Sequence, residues 1–236
     1  MRKQAHRTTE PIKNESDINA LKGYFWNKNL RDYALFVFML NTGRRISDTL
    51  SLDVGDVACM KGGKFCIRDR VQLYEQKTGK YADFPLNDVA RRAVSKYLHG
   101  RKRRLSKDES MAEFLREPLF KSQKPRRNGE KRLRTYSACR IMKQAARACG
   151  IDRYIGTHSL RKTFGYTAYN AGKDISDIQA VFNHSSQAIT LRYIGITQED
   201  VDDVYYVVGE GNQTFRENRR FKRKRKKRKA GNTLYR

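Results

Sequence analysis

A histidine and an arginine stand three residues apart in the segment His158-Ser159-Leu160-Arg161. In a helix this spacing puts both side chains on one face. Arginine presents a fixed fork of donors that fits phosphate oxygens, and histidine can take or give a proton near neutral pH. The pair therefore indicates cationic acid–base chemistry on a phosphodiester, although a helix with no special role could show the same spacing.

Other phosphate chemistries lack their signatures in this sequence. The chain has no GxxxxGK[ST] loop and no GxGxxG, which argues against nucleotide hydrolysis and dinucleotide redox chemistry. A cluster of Glu199, Asp200, Asp202 and Asp203 could suggest a two-metal nuclease. The cluster lies at the start of a predicted helix, where negatively charged carboxylates complement the helix dipole. This structural role is the favoured interpretation. We therefore expect neither a metal site nor an organic cofactor.

Three further segments accompany the histidine–arginine pair. They are TGRRISD at 42–48, QKTGK at 76–80 and FNHSS at 182–186, and Tyr193 follows the last of them. In this order and at these intervals, the chain resembles the tyrosine recombinase or phage integrase family. The resemblance covers roughly residues 10–208, which would be the family's whole catalytic domain.

The resemblance implies a role for each reactive residue. Tyr193 would attack the scissile phosphate, form a 3′-phosphotyrosyl bond and free a 5′ hydroxyl, while Lys77 would protonate the leaving oxygen and Asp48 would support the first arginine. The implied catalytic residues are Arg45, Lys77, His158, Arg161, His184 and Tyr193. A free phenol has a pKa of about 10, so the attack needs a base or a cationic field, which these neighbours could supply. No metal or energy-rich cofactor is needed, because one phosphodiester replaces another.

The sequence departs from the family pattern at three positions. Arg44 stands where an apolar residue is common, Asn183 where glycine is common, and Lys162 where histidine is common. Of the two adjacent arginines, we expect Arg44 to be the surface charge and Arg45 to be catalytic. The usual N-terminal core-binding domain is expected to be missing, since about a dozen residues precede the first predicted helix.

The elements that must position these residues are mostly helical. Apolar spacing and capping signals predict helices beginning near residue 14 and over 29–42, 45–52, 87–99, 136–148, 158–170, 174–183, 185–194 and 198–208. A strand followed by a hairpin is predicted within 64–86, with Thr78-Gly79 at the turn. The predicted fold class is α+β and mainly helical, with a small antiparallel hairpin or three-stranded sheet on one edge. The apolar stripe of the helix over 198–208 could close the domain's own core or dock on a neighbouring molecule.

The charge balance points to a polyanionic partner. The 236 residues contain 51 Lys and Arg against 25 Asp and Glu, a formal net charge of +26. Double-stranded DNA is the simplest partner, and a membrane surface is the weaker alternative. Further DNA contacts are predicted at Lys80, Lys124, Arg126, Arg127, Arg140, Lys143 and Arg147. The basic face of the helix over 136–148 could equally be a solvated face.

The domain expectation is a basic leader at 1–12, a catalytic domain at 13–208 and a disordered polybasic tail at 209–236. The longest apolar run, Tyr33 to Leu40, is too short to span a bilayer. The four cysteines form no CxxC pair and are read as reduced thiols. We therefore expect a cytoplasmic protein of bacterial or phage origin that associates with the nucleoid.

Three functions fit these observations. The first is a site-specific recombinase that self-associates on DNA as a dimer to tetramer. The second is a non-catalytic DNA-binding accessory or regulatory protein built on the same domain. The third is strand relaxation like that of a type IB topoisomerase. The complete set of reactive residues favours the first, because a binding module has no need to keep Tyr193, Lys77 and both arginines together.

Overall fold

The computed structural model describes residues 9–103, 110–123, 129–197, 200 and 202. The helices in these ranges are α1 Glu15–Lys28, α2 Leu30–Thr42, α3 Ile46–Ser51, α4 Val54–Val57, α5 Asp88–Lys102, α6 Met111–Arg116, α7 Thr135–Ala148, α8 Thr157–Asn170, α9 Ile175–Phe182 and α10 Gln187–Tyr193. The strands are β1 Ala58–Lys61, β2 Lys64–Ile67, β3 Arg70–Tyr74 and β4 Tyr81–Pro85. The mainly helical α+β class is confirmed.

Helix α2 forms the centre of the core. All six residues from Ala34 to Met39 are fully buried, because α1, α5 and α8 pack around the helix. The continuous apolar run predicts this burial, since a helix that is apolar on every side must be covered on every side. Gly43, in the left-handed conformation at φ 61°, ends α2 and turns the chain towards α3. The end of the buried helix α2 therefore fixes the positions of Arg44 and Arg45, which follow it.

The β-structure differs in detail from the sequence prediction. Within the described ranges, four strands form two separate antiparallel hairpins, β1–β2 and β3–β4, so the sequence prediction lacked strand β1. The turn between β1 and β2 is Gly62-Gly63, and both glycines have positive φ, at 54° and 72°. Two such glycines between short strands are a strong hairpin signal. The prediction of one single strand before the hairpin around Thr78-Gly79 did not take this signal into account. The hairpin predicted around Thr78-Gly79 is β3–β4.

Residues 9–195 lie in one compact unit, and a second unit begins at Ile196. In the second unit, the Asp200 carboxylate accepts hydrogen bonds from the backbone nitrogen and the hydroxyl of Thr197, at 2.9 and 3.0 Å. This local contact fits the expectation that the acidic cluster serves a helix start. Glu199, Asp203, most of the predicted helix over 198–208 and the tail over 209–236 lie outside the described residues. Among the described residues, every helix is too short or too polar to span a lipid bilayer.

Candidate active site

Arg161 lies at the centre of the candidate site. Its side chain, 2% exposed, extends from α8 and donates to the carbonyl oxygens of Gly43, at 2.5 Å, and Phe182, at 3.1 Å. These bonds join the end of α2 to the end of α9. Burial, together with the nearby charges of Arg45 and Arg44, lowers the pKa of Arg161 to about 10. The guanidinium therefore stays charged at neutral pH.

Arg45 is the residue before α3, and two carboxylates lie beside its guanidinium. Its Nη1 is 2.8 Å from Oε2 of Glu75 and 3.8 Å from Oδ2 of Asp48. Asp48 is fully buried, and its Oδ1 accepts a hydrogen bond of 2.9 Å from the backbone nitrogen of Gln76. Asp48 is thus placed to support Arg45, and it also attaches the β3–β4 hairpin to α3.

The expectation that Arg44 is a surface charge was wrong. Arg44 is only 5% exposed, because the left-handed turn at Gly43 directs it between the β3–β4 hairpin and α9. Its Nη2 donates to the carbonyl oxygen of Val181 at 3.1 Å, and its Nη1 is 3.5 Å from Oε1 of Glu75. Burial lowers the pKa of Arg44, while Glu75 and Asp48 oppose that shift.

Lys77 lies at the tip of the β3–β4 hairpin. The turn is closed by a bond from the Glu75 nitrogen to the Lys80 oxygen and another from the Gly79 nitrogen to the Glu75 oxygen, both 2.8 Å. Lys77 is exposed, and its charge acts on the imidazole of His158. Lys77 is therefore near enough to His158, at the start of α8, for its charge to affect that imidazole.

His158 is the second residue of α8. His158 as a whole residue is exposed, but the withdrawal of part of its imidazole from water lowers its pKa. The charges of Arg161, Lys162, Arg45 and Lys77 lower that pKa further. The lowered pKa favours the neutral form of His158, which can accept a proton.

Tyr193, the last residue of α10, packs against His184. The two ring centroids are 5.0 Å apart in an edge-to-face arrangement. Nδ1 of His184 is 3.2 Å from the Thr190 hydroxyl, which fixes the imidazole against α10. Burial raises the pKa of Tyr193, while the neighbouring guanidinium groups of Arg161 and Arg45 pull that pKa down. Burial and the same two arginines lower the pKa of His184.

The structure thus brings together the six residues predicted as catalytic. Tyr193 and His184 share ring contact and the field of Arg161 and Arg45, and His158 shares the field of Lys77 and both arginines. Such a cluster can bind a phosphodiester and stabilise the negative charge that gathers in its transition state. No group of three or more His, Cys, Asp or Glu residues suited to a metal ion occurs within the described ranges.

The predicted DNA contacts lie on α7, on the Lys77 turn or outside the described residues. Arg140 and Arg147 are exposed on α7, and Arg140 lines a cleft of about 680 Å³ with Lys28, Arg132 and Arg134. The remaining α7 candidate, Lys143, holds its ammonium 4.8 Å from the ring centroid of Tyr154. Lys80 donates to Oδ1 of Asn183 at 2.9 Å. Lys124, Arg126 and Arg127 lie outside the described residues.

Sequence reasoning missed two residues of the site. Glu75, 4% exposed, lies beside both adjacent arginines, and no motif singled it out. Burial alone would raise the pKa of Glu75, but the Thr78 hydroxyl and the two arginines hold it below its usual value. The second is Lys162, noted only as a departure from the family pattern. Its Nζ lies 5.1 Å from the ring centroid of Tyr193 and donates to the Thr9 oxygen at 2.6 Å.

Comparison with known proteins accounts for this arrangement. The family described as "Phage integrase family" matches residues 14–200. The chain belongs to the phage integrase family. A probable integrase/recombinase, YoeC of Bacillus subtilis (strain 168), is 38% identical over 200 residues, which cover 85% of this chain and 97% of YoeC. Tyrosine recombinase XerD of Corynebacterium glutamicum is 31% identical over 177 residues, 75% of this chain but only 52% of XerD.

Solved structures of recombinases have the same fold. The XerA recombinase superposes with a TM-score of 0.63 at 20% identity, covering 90% of this chain and 67% of XerA. The XerH recombinase, in a post-cleavage complex with its difH substrate, superposes with a TM-score of 0.61 at 17% identity, covering 83% of this chain and 52% of XerH. Together with the family match and the sequence relatives, the enzyme class predicted from the sequence, tyrosine recombinase, is confirmed.

Proposed function

We propose that this protein cleaves and rejoins double-stranded DNA at specific sites, with Tyr193 as the nucleophile. The observation that carries the proposal is the contact between Tyr193 and His184, at 5.0 Å between ring centroids, within the field of Arg161 and Arg45. Related proteins support a DNA substrate, since the XerH structure holds its difH site and a Tn1549 integrase structure holds transposon end DNA.

The reaction exchanges one phosphodiester for another. The phenolic oxygen of Tyr193 bonds to phosphorus, the bond from phosphorus to the 5′ oxygen breaks, and Lys77 gives that oxygen its proton. His158 and His184, whose lowered pKa values favour the neutral imidazole, provide acceptors for the phenolic proton. Arg45 and Arg161 neutralise the non-bridging oxygens, which is the main electrostatic contribution in phosphoryl transfer. Reversal by a 5′ hydroxyl of another strand completes the exchange.

Within this proposal, residues 13–208 are the catalytic domain. The polybasic segment over 209–236 adds contacts to phosphates that do not read bases. The exposed basic residues of α7 face the duplex. Self-association as a dimer to tetramer on DNA supplies the second strand for the exchange. The protein acts in a bacterial or phage setting, at the nucleoid.

The test is a nicked suicide duplex that traps the covalent intermediate. Wild-type protein should give a DNA adduct that survives denaturation, and Tyr193→Phe should give none. Tyr169→Phe, which alters an exposed tyrosine on α8, is the matched control and should cleave normally. An adduct in the Tyr193→Phe variant would disprove the assignment. Paired target sites then distinguish strand exchange from simple relaxation of a supercoiled plasmid.

A further inference from the structure

The Glu75 carboxylate joins parts of the site that are far apart in the sequence. Its Oε2 is 2.8 Å from Nη1 of Arg45, and the same oxygen accepts a hydrogen bond of 2.7 Å from the hydroxyl of Thr78. Thr78 directly follows Lys77 in the hairpin turn. A single oxygen thus bridges the first arginine and the turn that carries the lysine.

The other oxygen of the carboxylate faces Arg44, which continues the connection. Nη1 of Arg44 lies 3.5 Å from Oε1, and Nη2 of the same guanidinium holds the Val181 oxygen near the end of α9. His184 follows three residues later. Both arginines and Glu75 are largely withdrawn from water, with side-chain exposures of 7%, 17% and 4% for Arg44, Arg45 and Glu75. In such surroundings ion pairs are screened less by water than at a surface.

We propose that Glu75 is a positioning residue that fixes the Lys77 turn against Arg45, with Thr78 as its contact to the turn. The proposal rests on the proposed function, because it concerns the delivery of a proton by Lys77 to the leaving oxygen. Glu75 touches no reacting atom and acts through Thr78 and Arg45. Without it, the turn keeps its backbone bonds and the contacts of Gln76 with Asp48 and of Lys80 with Asn183, but Thr78 loses its connection to Arg45.

A substrate with sulfur in place of the 5′ bridging oxygen separates the effect of Glu75 on proton delivery by Lys77 from its effect on Arg45. A thiol has a pKa near 8.5, so the leaving thiolate needs no proton when the phosphorus–sulfur bond breaks. Loss of Lys77 therefore matters for the oxygen substrate and much less for the sulfur substrate. Loss of Arg45 support matters for both, because the charge on the non-bridging oxygens is the same.

The experiment measures single-turnover cleavage of both suicide substrates by full-length variants. Lys77→Ala sets the reference and should lose about 100-fold or more on the oxygen substrate only. Thr78→Val removes only the hydroxyl at an exposed turn position, and should lose about tenfold on oxygen while staying within about threefold of wild type on sulfur. Glu75→Gln should lose rate on both substrates, more on oxygen, because its amide would point donors at two guanidinium groups.

Arg70→Met is the control for altering an ion pair on the same hairpin. Arg70 and Asp83 are joined at 2.8 Å on the surface, at 55% and 31% side-chain exposure, and such a pair contributes little, so both rates should be unchanged. If Glu75→Gln does not fold, Thr78→Val decides alone. Equal losses on both substrates for Thr78→Val, or wild-type rates for either variant, would overturn the positioning role. Absence of an adduct with wild-type protein would instead overturn the proposed function itself.

Discussion

Gly165 of α8 lies against the two residues that hold Tyr193 in place. A Cβ at this position would lie 2.7 Å from Cγ2 of Ile194, 2.7 Å from Cε2 of Phe182 and 2.8 Å from Cζ of the same ring. Both neighbours are fully buried, and the Phe182 and Tyr193 ring centroids are 5.5 Å apart. Optimal carbon contacts are about 3.5–4.0 Å, so Gly165→Ala must push α9 or α10 away by nearly an ångström.

The size of the effect follows from two opposing contributions. Replacing a helical glycine by alanine stabilises a helix by about 1 kcal/mol, whereas overpacking a core costs about 1–3 kcal/mol. We therefore expect Gly165→Ala to lower the free energy of unfolding by about 0–2 kcal/mol. The rate should suffer more, because a displacement of about 1 Å at a reacting group can cost about 100-fold.

Gly23→Ala is the matched control. Gly23 lies within α1, and no atom lies within 4 Å of the Cβ that alanine would add. This variant should be about 1 kcal/mol more stable than wild type and cleave at the wild-type rate. Urea unfolding and single-turnover cleavage of the suicide duplex measure both quantities. If Gly165→Ala is stabilised as much as Gly23→Ala and cleaves normally, the close packing of α8 against α10 does not position Tyr193.

Three further results are expected. Arg161→Ala should abolish cleavage and lower the melting temperature, because two buried carbonyl oxygens lose their donor and each loss costs about 1–3 kcal/mol. Lys77→Ala should also abolish cleavage, but the melting temperature should be unchanged. His158 and His184 have lowered pKa values, so the unfolded chain binds more protons below about pH 6.5. The melting temperature should therefore fall between pH 7.5 and 5.5, and the fall should shrink in His158→Gln and His184→Gln; an identical fall would contradict this. Deleting residues 212–236 should weaken DNA binding and flatten its salt dependence, and an unchanged slope in a salt titration would exclude the phosphate contacts of the tail.

Local signals in the sequence predict much of the helical framework. Asn29 and Asn87 cap α2 and α5 with their side chains, as residues of this type do at helix starts, and Gly43 ends α2. The Gly62-Gly63 turn carried an equally clear local signal, yet strand β1 was overlooked because its four residues show no clean alternation of polar and apolar side chains.

The parts of the site that depend on long-range packing were less predictable from the sequence. Arg44 and Arg45 are the same residue type, so the sequence cannot distinguish their surroundings. Only the direction of the folded chain after Gly43 shows that both are withdrawn from water. Glu75 lies 30 residues after Arg45 in the sequence, and nothing in its neighbours marks it as the partner of two arginines. The convergence on Tyr193 followed from the resemblance to the family, since composition alone cannot choose among thirteen tyrosines.

Tyr193 lies beside Arg161 and His184 of its own polypeptide. In the proposed mechanism, one molecule at one scissile phosphate thus holds every group that the first incision requires. The yield of trapped adduct should then rise linearly with protein up to one per scissile phosphate, without a threshold in concentration. Partners become necessary only at the later stage, when a freed end must find a different duplex.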